Sequence, residues 1–375
     1  MPDEQEDLLN HVADPDDRSL RDEELEDLID VEQTPARVTF STQDLSIDGL
    51  VKRLDRKSML VPQFGGTDSL VELAGFQRGF VWSKAQMDRF IESLLLGYPV
   101  PGIFLVKQSG DNRMLILDGQ QRLITLQRFY GGVHEGREFA LNYVGNEFKG
   151  LTYRTLDESL QFKLDDSYMQ ATIVAADGSP EVDESIFQIF ERLNSGGTQL
   201  TPHEIRVALY AGTLMASIET LNGDSAWRSL FGPTKSKRIR DHELIMRILA
   251  LYSTSEDYNR PLKTFLNGFA QRDRTVDIAA ERRGDLFLAA CAALNDQVGA
   301  KAFRRPGGTQ VNTAQAEAIC VAAMEALDGG QIPNDLAARI DELLKDPEFL
   351  KHTGRATADK DAVDTRLVRA RTAFS

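Results

Sequence analysis

The chain has 375 residues, 42% hydrophobic and 27% charged, an ordinary globular composition with room for two or three domains. No apolar run reaches membrane-spanning length and the N-terminus is acidic, so neither a membrane span nor a signal peptide is predicted, and a cytoplasmic location (bacterial, or of the host if phage-encoded) is expected. The net charge of −15 is lopsided. Residues 1–33 hold fourteen Asp or Glu against two Arg, a net −12, and the other 342 residues carry −3. Bulk charge therefore predicts no large sequence-independent nucleic-acid footprint. Cys291 and Cys320 form no CxxC pair and read as small buried hydrophobes. The five histidines are scattered and match no metal spacing.

In chain order, residues 1–40 read as an acidic, largely disordered tail, with Leu25, Leu28 and Ile29 at helical spacing for one short helix. Ser46–Leu54 predicts a helix with Ile47, Leu50 and Val51 on one face. Leu70–Leu73 predicts a strand. It leads into a Gly75–Trp82 segment in which Gln77 and Arg78 lie between aromatics. That segment reads either as a loop with core aromatics or as a positioned Arg with Trp82 as an aromatic shelf. Ser83 and Gln86 predict a capping box for a helix with Met87, Phe90, Ile91, Leu94 and Leu95 inside, stopped by Gly97, Pro99 and Pro101. Gly102–Gln108 and Arg113–Leu117 predict a β-hairpin. The second strand ends at Asp118, and a helix carrying Leu123, Leu126 and Tyr130 begins at once and stops at Gly131–Gly132.

Residues 137–144 and 168–175 predict strands with a helix near 153–163 between them. Asp183 is expected to cap the next helix, whose Ile186, Phe187, Ile189, Phe190 and Leu193 point inward, before the Asn194–Gly197 break. Thr201-Pro202-His203-Glu204 is a helix start with a capping box, which gives Glu204 a structural role to set against a functional one. Beyond it, helices are predicted near 202–221, 240–255, 258–272, 280–295, 312–328 and 335–346. Lys235–Arg240 is the densest basic run, read as a solvated loop with nucleic-acid contact as the alternative. The fold class is α+β: a small mixed-sheet core over 41–200, then an α-helical domain over 201–375.

The usual nucleophile and phosphate motifs are absent: no GxSxG, no P-loop, no GxGxxG. What remains is a set of acids, amides, arginines and glycines. Asp118-Gly119-Gln120-Gln121-Arg122 sits where a strand hands over to a helix. Such a corner gathers free backbone N–H groups, positive dipole and side-chain donors, a generic way to hold a phosphate. With Gln77, Arg78, Asn194, Gly197 and Glu204, the set suggests recognition of a nucleotide-like ligand, with Asp118 or Glu204 able to meet Mg²⁺ or orient water.

Three segments, FQRGFVW at 76–82, LILDGQQRLITL at 115–126 and FERLNSGGTQLTPHEIRVA at 190–208, resemble in order and spacing the N-terminal (GmrS-like) domain of GmrSD-type modification-dependent restriction systems. The resemblance covers about residues 41–260 and the DGQQR box matches without departure. It implies a ParB/sulfiredoxin-like core that binds a nucleoside triphosphate and in many members hydrolyses it with Mg²⁺ to gate an attached nuclease. On that reading Asp118, Gln120, Gln121 and Arg122 are the catalytic box, with Asp118 also the metal ligand. Gln77, Arg78, Trp82, Gly119, Asn194, Gly197 and Glu204 complete the nucleotide pocket.

The expectation is thus a nucleotide sensor and NTPase of a DNA restriction or phage-defence protein. The alternative is a non-catalytic DNA- or protein-binding module on the same core. A sulfiredoxin-like redox enzyme is disfavoured because the corner has no cysteine. After the resemblance, His352 is the sole histidine and no DHxxP-like text follows, so no nuclease is expected within this chain. A separate nuclease subunit, DNA and a second copy of the chain are the partners the resemblance suggests.

Overall fold

The computed structural model describes residues 38–60, 82–107, 113–193, 201–236, 238–330, 332–354 and 357–375. The helix expected near Asp22–Val31, the Leu70–Leu73 strand and the Ser109–Asn112 turn lie outside these residues. The described chain divides into two units, one holding Arg78–Thr198 with Thr34–Gln63, the other Gln199–Ser375.

The first unit is α+β. Its elements are β1 (Phe40–Ser46), α1 (Ile47–Asp55), β2 (Met59–Leu60), α2 (Lys84–Leu96), β3 (Ile103–Lys107), β4 (Met114–Asp118), α3 (Gln120–Gly131), the short pair β5 (Val133–His134) and β6 (Arg137–Glu138), α4 (Glu158–Asp165), β7 (Tyr168–Ala175) and α5 (Pro180–Leu193). Five strands form one sheet in the order β1-β7-β3-β4-β2. It is mixed, as expected: parallel at β7–β3 and β4–β2, antiparallel at β1–β7 and β3–β4.

The helices follow their caps. Ser46 accepts the Gly49 N–H at 3.2 Å and α1 buries Ile47, Leu50, Val51 and Leu54. Ser83 and Gln86 form the expected capping box of α2. Both helices pack with α3 and α4 over a core that includes Ile91, Leu105, Ile116, Leu126, Phe129 and Phe139, while α5 lies against β4. Tyr130 and Tyr153 stack at 4.1 Å and both donate to Asp165 (2.7 and 3.1 Å), tying α3 to α4. Burial, reinforced by that carboxylate, pushes the Tyr153 phenol up to about 12.

Three local expectations fail for identifiable reasons. The strand expected over 137–144 reduces to Arg137–Glu138. The backbone beyond it bonds to side chains of α2 instead of a neighbouring strand: Asn142 and Tyr143 donate to Asp88 at 2.9 and 3.0 Å, Gly145 donates to Glu92 at 2.6 Å, and Lys84 donates to the Ala140 carbonyl at 2.6 Å. No strand is predicted at Phe40–Ser46, whose residues are mostly exposed. It forms because seven register pairs anneal it to β7 as an edge strand. Finally, α5 starts at Pro180 rather than after Asp183. Proline's fixed φ suits a first turn, and Asp183 lies inside that turn, where the dipole favours a carboxylate.

The second unit is all-helical: α6 (Pro202–Leu209), α7 (Thr213–Asn222), α8 (Ser225–Phe231), α9 (Arg240–Thr254), α10 (Leu262–Arg272), α11 (Arg282–Gln297), α12 (Thr313–Asp328), α13 (Leu336–Leu343), α14 (Pro347–His352) and α15 (Lys360–Phe374). Small side chains let α12 bury every residue from Ala314 to Met324 at the centre of this unit. The single helix expected over 202–221 is two, because the chain at Gly212 presses on another segment. A Cβ there would sit 2.6 Å from the Arg274 carbonyl, which accepts the Leu214 N–H. Cys291 and Cys320 are fully buried, and burial pushes the Cys291 thiol up. Among the described residues no helix is long and apolar enough to cross a membrane.

Candidate functional site

The DGQQR segment lies at the C-terminal end of β4, where the ladder to β3 is irregular. Leu105 pairs with Ile116 and Phe104 with Asp118, so Leu117 is the extra residue of a β-bulge. Simple alternation would place Asp118 on the face of Ile116, which is fully buried. The bulge breaks that alternation, and the Asp118 side chain is 47% exposed.

Gly119 then turns the chain with φ +96° and serves as N-cap of α3 without a side-chain bond. A Cβ at this position would lie 2.3 Å from the Ile103 Cγ2, so both the conformation and the space require glycine. Gly119→Ala is expected to cost roughly 2–4 kcal/mol, the left-handed penalty plus overpacking, read as a lower urea midpoint with an unchanged slope.

The rest of the box divides by engagement. The Arg122 guanidinium donates from Nη1 to the Pro101 and Gly102 carbonyls (2.6 and 2.8 Å) and from Nη2 to Asp118 Oδ2 (2.7 Å). Gln121 Oε1 accepts the Trp82 N–H at 3.2 Å, and Trp82 packs edge-on against Phe90 at 5.5 Å. The Gln120 amide makes a 3.5 Å contact with the Ile116 carbonyl, a marginal bond. The corner therefore combines a half-exposed carboxylate, a lightly held amide and the first-turn N–H groups of α3. These suit a phosphate or another anion. Among the described residues no group of three His, Cys, Asp or Glu is placed to hold a metal.

Of the other expected site residues, Trp82 is brought to the box through Gln121. Gln77, Arg78, Asn194 and Gly197 lie outside the described residues. Glu204 belongs to the helical unit and is fully buried. There it accepts the Thr201 N–H at 2.6 Å, completing the capping box of α6, and pairs with Arg238 at 3.0 Å. This alters the reading of the basic run at 235–240, which is not a solvated loop throughout. Arg238 is buried on Glu204, and Lys235 is paired with Glu219.

A second polar cluster in the helical unit has no signature in the sequence, because its partners are 39 residues apart. His203 and His242 are buried and bonded Nε2 to Nδ1 at 2.8 Å. Arg206, which can only donate, reaches His203 Nδ1 at 3.1 Å. His203 Nε2–H must then donate to His242 Nδ1, and His242 Nε2–H to the Met215 carbonyl at 3.2 Å. Every bond is satisfied with both rings neutral.

Burial holds both imidazoles below their ordinary range. Arg206 and Arg247 add to this at His203, while Glu219, Asp241 and Glu243 oppose it at His242. The unfolded chain binds protons at these histidines below about pH 6.5 that the folded chain excludes, so stability is full above that pH and falls as pH drops. A loss of up to about 2 kcal/mol between pH 6.5 and 5.5 is expected. Urea unfolding across this range, with His242→Gln as the variant of reduced slope, checks it.

No curated protein and no solved structure gives a significant match to the chain. Residues 63–211, which include the DGQQR box, match the family model of the GmrSD restriction endonuclease N-terminal domain, and this bears out the resemblance carried by the three motifs.

Proposed function

We propose that the Asp118–Arg122 corner binds a nucleoside triphosphate and hydrolyses it with Mg²⁺, on a ParB/sulfiredoxin-like core, as the sensing part of a restriction or phage-defence system. The observation that carries this reading is the bulge-and-glycine corner. It turns one carboxylate outward beside the N-terminus of a twelve-residue helix, within the stretch that matches the GmrSD N-terminal domain.

The donor set fits a metal carried on phosphates. Mg²⁺ at such sites is held by one or two carboxylates plus substrate phosphates and keeps several waters, and Asp118 offers one half-exposed carboxylate. When bound, Mg²⁺ would neutralise phosphate charge. The chain itself would supply α3 N–H groups to the phosphate oxygens, Gln120 as a further donor, and Asp118 to orient the attacking water.

Phosphate release from each NTP with Mg²⁺, with and without DNA, tests the reading. Asp118→Ala is expected to lower release by about 100-fold or more, and wild-type turnover in that variant would refute the assignment. A second reading, binding without turnover, is favoured by the engagement of Arg122 with the chain itself, which leaves no arginine of the box directed at a ligand. Nucleotide-dependent stabilisation with no phosphate release from any NTP, with or without DNA, would select it.

A further inference from the structure

The five residues of the box divide between ligand contact and support. Arg122 is 12% exposed, and its two terminal nitrogens are directed at Pro101, Gly102 and Asp118. The two carbonyls belong to the segment entering β3, while the carboxylate ends β4. One planar fork thus joins the start of one strand to the end of its neighbour, a task that a point-charge ammonium cannot perform. To swing toward a phosphate, Arg122 would have to leave two carbonyls without this donor and Asp118 without its ion pair. Gln121 acts in the same direction, since its Oε1 holds the Trp82 N–H immediately before the Ser83 cap of α2.

We infer that Arg122 is a positioning residue that clamps residues 101–102 to Asp118 and so fixes the corner, rather than a phosphate ligand. The ligand is met by Asp118, Gln120 and the first-turn N–H groups of α3. The ligand part of this assignment rests on the nucleotide reading; the clamp does not.

The test uses the full chain with Arg122→Ala, Arg122→Lys and Gln120→Ala. Amide hydrogen exchange is followed without nucleotide, and binding of AMP, ADP and ATP with Mg²⁺ is measured by calorimetry, with GTP in parallel. In the nucleotide-free protein, Arg122→Ala is expected to speed exchange at 102–104 and 118–121 at least about tenfold while the interior strand β7 is unchanged. Affinity should fall by the same factor for the mono-, di- and triphosphate. Arg122→Lys should behave like Arg122→Ala, because Lys restores charge but not the fork. Gln120→Ala should weaken binding and leave exchange unaltered.

The inference is overturned if exchange at 102–104 and 118–121 is unchanged in Arg122→Ala. It is also overturned if the affinity loss grows with each added phosphate and Lys restores it. Should Arg122→Ala unfold globally, Arg122→Lys decides by the same readouts. A wild-type chain that binds none of these nucleotides defeats the nucleotide reading and the ligand part with it, and the nucleotide-free exchange then decides the clamp alone.

Discussion

Asp88→Ala is expected to destabilise the α+β unit by about 3–5 kcal/mol, the cost of removing one partner from a buried charged network. Asp88 lies on α2 and is fully buried. It accepts the Asn142 and Tyr143 N–H groups and pairs with Lys84, which also donates to the Ala140 carbonyl and sits 4.4 Å over the Phe139 ring. Within 139–145 the Asn142 and Tyr143 N–H groups have no ladder partner, and the Asp88 carboxylate is what satisfies them. Alanine would leave two N–H groups and a largely buried ammonium without their partner. Asp88→Asn keeps an acceptor for one N–H but loses the charge, and should cost less, about 1–3 kcal/mol. Urea unfolding of the full chain reads the size of the effect, and exchange at the Asn142 and Tyr143 amides reads its place. Wild-type protection at those two amides in Asp88→Ala would refute the staple.

The second large effect lies in the helical unit. Glu317 on α12 and Arg366 on α15 form an ion pair that is 1% and 3% exposed, and Arg366 also donates to the Thr357 carbonyl. Glu317 Oε2 and Arg366 Nε are buried with no hydrogen-bond partner, so the pair is imperfectly satisfied. Removing one side should therefore cost far more than replacing both. Glu317→Ala is expected to lower stability by about 3–5 kcal/mol, and the double variant Glu317→Met with Arg366→Met to lie within about 1 kcal/mol of wild type or above it. A double-variant cycle by urea unfolding measures the difference. Equal losses in the single and double variants would show that packing of the two stems, not the charge pair, holds the C-terminal helix.

Much of the fold was legible because its signals are local. The Ser83–Gln86 box, the Gly97 stop, the Thr201–Glu204 start and the apolar stripes of α2 and α3 each act within one or two helical turns. Strand β7 follows the predicted limits for the same reason, with Met169, Ala171 and Ile173 alternating into the core. Strand β1 and the 139–145 segment were not legible. The first is made by pairing across more than a hundred residues of chain, the second is unmade by carboxylates more than fifty residues away.

The DGQQR corner shows both sides of this division. The strand-to-helix handover and the anion-friendly start of α3 follow from the order of five residues, because backbone geometry and helix polarity are local properties. Which of the five side chains face outward was decided by tertiary structure. The bulge at Leu117 exists only in the pairing of β4 with β3, and Arg122 finds carbonyls at 101–102 that carry no side-chain signature in any sequence. Likewise His203, His242 and Arg238 read as separate residues along the chain and become buried partners only when α6, α9 and the segment before α9 pack together. Burial then sets their chemistry, because desolvation, which no residue possesses alone, determines whether a histidine stays neutral or an arginine must be paired.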